Sequence, residues 1–198
     1  MKEKYSYLKK YIGHNDLKGT YFLPVPLEDI KKAEKMLGFD FPVQLKEFYA
    51  EVGAGILSCG EKYPQMFEDS LSNEILSPTV IAGFYNLATK HHKQSEDKRT
   101  SLDVLLDLEK FYSYSSGSRI SVDALESWQS GDLPFFEMYD SSHFLVMKPC
   151  SDNPNAIWAL GIKTIKIEDS FEKFIWRLYY ESPSYYGDII EKYYTSKK

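Results

Sequence analysis

Four consecutive residues, Asp140-Ser141-Ser142-His143, contain every side-chain type of a hydrolytic triad. A triad needs its nucleophile, base and orienting acid brought together from separate elements, whereas neighbours in a hairpin turn point in alternating directions. No G-x-S-x-G elbow accompanies the run, so a turn bearing an exposed histidine accounts for it better. His91-His92 is the second grouping. Adjacent residues on one helix or strand diverge, and no HExxH or CxxC pattern adds ligands, so no metal is expected. Glu137 and Asp140 form a carboxylate pair of the type glycoside chemistry uses. They would straddle a strand end, and a small hydrolase built on them is a remote alternative. Gly53 and Gly55 do not extend to GxGxxG and no lysine-bearing phosphate loop is present, so no nucleotide or other cofactor is expected.

Charge is more informative than these groupings. The chain has 198 residues, 29 acids against 24 Lys and Arg, and a net charge of −5. Asp123, Glu126, Asp132, Glu137, Asp140, Asp152, Glu168 and Asp169 face only Lys148, Lys163 and Lys166 within 120–169, and that segment accounts for the whole excess. Between Ile120 and Met147 there is no Lys or Arg. An acidic surface repels a phosphate backbone and favours basic partners, so no nucleic acid is expected. Sixteen Tyr supply apolar bodies with polar tips, suited to core edges and contact surfaces.

The length suits one domain, 1–198, with a core that needs no staples. Cys59 and Cys150 make no disulfide framework and are read as reduced. The N-terminus lacks an apolar signal core and no run reaches membrane-spanning length. A cytoplasmic protein without a membrane partner is the expectation.

The elements that would position any site are legible from spacing. A short Tyr-bearing segment, a candidate helix near residues 4–11, is broken by Gly13, Asn15 and Gly19. Leu23 and Val25 each precede a proline and are pushed into extended backbone. A first helix begins near Leu27 with Glu28 and Asp29 in its first turn, buries Ile30, Ala33 and Leu37, and ends at Gly38. Pro42 suits the first position of a second helix, which buries Leu45, Phe48, Tyr49 and Val52 and stops at Gly53. A short strand follows at Ile56, then a loop over 61–73. A third helix starts at Ser77-Pro78, 88–100 reads as an exposed loop or solvated helix end, and 101–112 as a further helix before a Ser/Gly turn at 113–118. From Leu133 four short β runs, separated by turn residues, favour an antiparallel meander, with Trp158 expected in the core. A helix capped by Ser170 buries Phe171, Phe174, Ile175, Leu178 and Tyr179, Pro183 ends it, and an amphipathic tail occupies 185–198. The fold class is α+β: an antiparallel meander covered on one face by helices, with an N-terminal helix pair and a C-terminal helix.

The order of residues in IKKAEKMLGFDFPVQLKEFYAEVGAG resembles the opening of the SUKH superfamily, which includes the yeast Smi/Knr cell-wall regulators. The matching positions are Ala33, Glu34, Leu37, Gly38, Phe41, Pro42, Leu45, Phe48, Tyr49, Gly53 and Gly55. Ile75-Leu76-Ser77-Pro78, Pro134-Phe135-Phe136-Glu137, Asp140, Ala156-Ile157-Trp158-Ala159 and Ser170-Phe171 look like its later landmarks in order. The resemblance spans about 23–180, leaving 1–20 as an N-terminal extension. Ser141 stands where members often have Gly after the turn Asp, and 88–130 is longer than in compact members.

The resemblance implies a domain without enzymatic activity. Bacterial members commonly act as immunity proteins against a cognate polymorphic toxin, often a nuclease. A basic toxin would fit the acidic half of this chain. On that reading Asp123, Glu126, Asp132, Glu137 and Asp140 steer the encounter, and Tyr112, Tyr114 and Tyr139 anchor it. A regulatory scaffold for an endogenous protein is the alternative, as the yeast members suggest.

Overall fold

The computed structural model describes residues 3–13, 20–58, 73–94, 128–129, 131–138, 144–160 and 163–195. The helix expected over 101–112, the Ser/Gly turn at 113–118, Cys59 and the turns at Asp140 and Gly161 lie outside them.

Helix α1 (Leu27–Leu37) follows extended Pro26 and buries Ile30, Ala33 and Leu37. It ends at Gly38, whose φ of 80° is the left-handed conformation of a helix stop. Glu34 then fixes the corner to the next helix: its carboxylate accepts the Phe41 N–H at 2.9 Å and pairs with the Lys46 ammonium at 3.1 Å. Pro42, expected inside helix α2 (Val43–Glu51), caps it instead, because its ψ of 140° is extended. Leu45, Phe48 and Tyr49 face inward, and the Gly53 N–H closes the last turn on the Phe48 carbonyl.

The chain leaves α2 through two glycines at which any side chain would collide with the β1 backbone. Strand β1 (Tyr21–Leu23) lies against β2 (Ala54–Leu57) with Phe22 opposite Gly55. A Cβ on Gly53, at φ +115°, would stand 2.0 Å from the Leu23 carbonyl oxygen. One on Gly55, at φ +152°, would stand 2.3 Å from that of Tyr21. Both obstacles are backbone, so neither can move aside without unpairing β1.

Among the described residues the sheet has seven strands in chain order, every neighbouring pair antiparallel, as the short turn-rich links anticipate. The remaining strands are β3 (Asn73–Ile75), β4 (Leu133–Glu137), β5 (Phe144–Met147), β6 (Ile157–Ala159) and β7 (Ile165–Glu168). β3 begins where the sequence reads as a loop; three residues are too few for a period-2 pattern to show. Helix α3 (Pro78–Gln94) takes in residues 88–94, the polar stretch left open between loop and helix end. Helices α4 (Phe171–Tyr180) and α5 (Tyr185–Thr195) follow the last strand. Before β1, Ser6–Tyr11 forms a 3-10 helix.

The core is an aromatic layer between the sheet and α2, α4 and α5. Phe171 meets Phe48 at 5.3 Å and Phe135 at 5.5 Å, while Phe174 meets Phe136 at 5.1 Å. Edge-on pairs like these contribute roughly 0.5–1.5 kcal/mol each beyond burial. Phe135 and Phe136 both reach the helices because the β4–β5 register shifts between Pro134 and Phe136. Ser170 caps α4 by accepting the Lys173 N–H at 3.3 Å. Buried Glu168 ties that helix to β7, accepting from Lys173 at 2.9 Å and Arg177 at 3.3 Å. Asn73 joins β3 to α5 by donating to the Pro183 carbonyl and accepting from the Tyr186 hydroxyl, both at 2.6 Å.

The other face of the sheet carries Phe144, met by Phe84 of α3 at 5.0 Å. Trp158, expected in the core, is on this face too and only half-buried, with the Lys148 and Lys166 ammonium groups over its ring at 5.7 and 5.8 Å. Strand alternation puts its neighbours Ile157 and Ala159, not the Trp, on the core side. Trp128 is buried and Trp176 is exposed on α4.

The glycine geometry gives a stability prediction. Gly53→Ala should lower stability by about 3 kcal/mol or more, and Gly55→Ala similarly, because a strained φ and a backbone collision add. Gly187→Ala in α5, where a Cβ meets nothing within 4 Å, should be neutral or stabilising by up to about 1 kcal/mol. Urea midpoints of the three variants check this; equal losses at all three would contradict it.

Candidate functional site

Cross-strand register assembles one row on the face opposite the aromatic core: Tyr21, Ile56, Glu74, Glu137 and Phe144, contributed by β1 to β5 in turn. At the β1–β3 end this row borders a cleft of about 290 Å³. Its lining includes Tyr21, Ile56 and Glu74 from the strands, Asp29 from the first turn of α1, and Ser77 and Thr79 at the start of α3. Leu23, Pro24 and Pro26 also line it and are exposed, giving the opening apolar sides. The Gly55 backbone forms part of the wall, which the close approach of β1 makes possible.

Glu74 is the chemically distinctive group here. Burial, and then the Glu137 charge directly opposite, push its carboxyl up to about 7. Like charges facing each other across an antiparallel pair disfavour ionisation of both. Among the described residues no Lys, Arg or His pairs with the Glu74 carboxyl. Such a group can hold a proton near neutrality or accept an incoming cation. Among the described residues no three His, Cys, Asp or Glu side chains are grouped to hold a metal.

The acids singled out in the sequence divide three ways. Asp132 is buried at 2% exposure and paired: it meets the Lys148 ammonium at 3.0 Å and accepts the Gln129 N–H at 2.9 Å. Glu137 is buried at 5% exposure within the row beside Glu74. Neither fits an exposed steering role: Asp132 is buried against Lys148 and the Gln129 N–H just before β4, and Glu137 is buried within β4. Tyr112, Tyr114, Asp123, Glu126, Tyr139 and Asp140 lie outside the described residues, as do Ser141, Ser142 and His143. His91 and His92 fall on α3, with side chains outside the described set.

Sequence reasoning missed Glu74 and gave Asp29 only a helix-dipole role. Glu74 sits in a three-residue strand at the end of an apparent loop. The one usable signal was an acid immediately before the apolar pair Ile75-Leu76.

A pH-dependent stability follows from the raised carboxyl. The folded group stays protonated between about 4.5 and about 7, where the unfolded one ionises. Stability therefore falls as pH rises through that window, and the loss is complete above it. Glu74→Gln should raise stability at about pH 8 by on the order of 2 kcal/mol and change it little near pH 4.5. Urea midpoints at the two pH values test this, and an equal shift at both would contradict it.

Comparison with protein families places this architecture. The model of the SMI1/KNR4 family (SUKH-1) matches residues 24–177, from the cleft's rim at Pro24 into helix α4. Comparison with curated proteins gives no match. The matched span takes in the helix pair, the glycines, β2 to β7 and nearly all the cleft. This chain belongs to the SMI1/KNR4 family (SUKH-1).

Proposed function

We propose that this chain is a non-enzymatic binding domain, acting as an immunity protein that neutralises a cognate toxin by direct contact in the cytoplasm. Family membership over residues 24–177 carries the reading. The charge distribution gives it a direction: the excess of five acids falls within 120–169, which suits a basic toxin such as a nuclease. Complementary charge speeds encounter and rejects wrong partners more than it adds affinity. Asp123, Glu126 and Asp140 are the acids proposed to steer, and Tyr112, Tyr114 and Tyr139 the aromatic anchors. Asp132, neutralised by Lys148, belongs to the scaffold.

A regulatory scaffold for an endogenous protein is the second reading, favoured by the Smi/Knr regulators within the same family. The two differ in whether the partner is toxic.

Co-expression with a neighbouring toxin-like reading frame separates them. Growth rescue together with a co-purifying complex is expected, and failure of every neighbour to bind would sink the immunity reading. If charge steers the encounter, raising salt from about 50 mM to about 500 mM should slow association roughly tenfold while dissociation changes less. An association rate indifferent to salt would count against the acidic segment.

A further inference from the structure

We propose that the cleft between β1, β2, β3 and the first turns of α1 and α3 is a socket for one lysine or arginine side chain of the protein partner. This deepens the protein-binding reading and rests on it.

The first support is how this fold treats its other acids. Buried Asp132 has Lys148, buried Glu168 has Lys173 and Arg177, and largely buried Glu34 has Lys46. Glu74 is sunk in the cleft wall with no such cation among the described residues. The register sets it opposite a second glutamate rather than a base. Element by element, the described groups facing it include no cation. Tyr21 comes from β1, Asp29 from α1 and Glu137 from β4; β2 contributes Ala54, Gly55 and Ile56, and the start of α3 contributes Ser77, Pro78 and Thr79. Among the described residues every titratable neighbour is an acid or a phenol. A cation supplied by another molecule would complement them.

The shape suits a side chain rather than a small metabolite. A volume of about 290 Å³ falls just below the range of roughly 300–1,000 Å³ typical of small-molecule pockets. Leu23, Pro24, Pro26 and Ile56 provide apolar walls for a methylene stem, and long cationic side chains bury such stems while their heads seek polar groups. Glu74 and Asp29 supply the carboxylates for the head, and the Ser77 and Thr79 hydroxyls further acceptors. Exposed Leu23, at 59%, lies at the mouth, where a partner's backbone would pass.

Insertion of a cation should displace the proton that Glu74 holds near neutrality. Affinity should then rise with pH, by about tenfold between pH 6 and pH 8 for a carboxyl titrating near 7. The glutamine variant removes both the affinity and its pH dependence, and it is expected to fold at least as well as the parent.

The test titrates the isotopically labelled full chain with n-butylguanidinium, using n-butylurea as the uncharged isostere, and follows backbone amides by NMR. Saturable shifts centred on Ile56, Glu74 and Ser77 are expected with the cation only, tighter at pH 8 than at pH 6 and abolished in Glu74→Gln. Absence of a cleft response, an equal response to the urea, or retention in Glu74→Gln would each overturn the socket. A partner that binds wild type and Glu74→Gln equally would overturn it too while leaving the protein-binding reading intact. Failed growth rescue with a responsive cleft would sink the immunity reading alone.

Discussion

One irregularity in strand β4 decides which of its side chains join the aromatic core and which turn to the opposite face. Strict alternation would send Phe135 and Glu137 to the same side, burying a carboxylate among phenylalanines and turning Phe136 away. The register shift between Pro134 and Phe136 instead sends both aromatic rings to α4 and moves Glu137 to the opposite face. The aromatic layer then closes over Phe171 and Phe174, and the acid takes its place beside Glu74. A charged group left in that layer without partners would cost several kcal/mol, a large share of the stability of an ordinary domain.

The glycine pair applies the same logic at the other end of the sheet. Gly53 and Gly55 let the β1 carbonyls come close enough to extend the sheet by one strand, and that strand forms one wall of the cleft. The two glycines thus serve the fold and the proposed site together. The same holds for α1: its first turn tolerates Asp29 because a helix N-terminus favours an acid, and that position also borders the cleft. Glu34, on the same helix, spends its carboxylate on the Phe41 N–H and the Lys46 ammonium and so fixes the corner between the two helices.

Long elements with strong periodicity were readable directly from the sequence. The stripes Ile30-Ala33-Leu37 and Phe171-Phe174-Leu178 point to buried helix faces, and Gly38 and Ser170 mark boundaries by conformations and caps that are local. The meander after Leu133 was legible because turn residues separate its runs. What stayed hidden depends on contacts distant in sequence. β3 is three residues long and exists as a strand because β2 and β4 pair with it. The β4 irregularity is invisible in Pro134-Phe135-Phe136-Glu137 alone, so Glu137 reads as a surface acid when it is buried. Glu74 acquires its chemistry from burial among walls that β1 and α1 help build, and then from Glu137, far along the chain. Charge counts find an acidic half; they do not distinguish Asp132, already paired with Lys148, from an acid that lacks a cation.

The proposed working face is the sheet face opposite the aromatic layer, with the cleft at its β1–β3 end. Hydrogen exchange of the chain alone and in complex with its cognate partner tests that most directly. Slowed exchange in 21–29 and 74–79, with little change in α4, is the predicted footprint. Protection confined to α4 and α5, with the cleft segments exchanging as in the free chain, would contradict it.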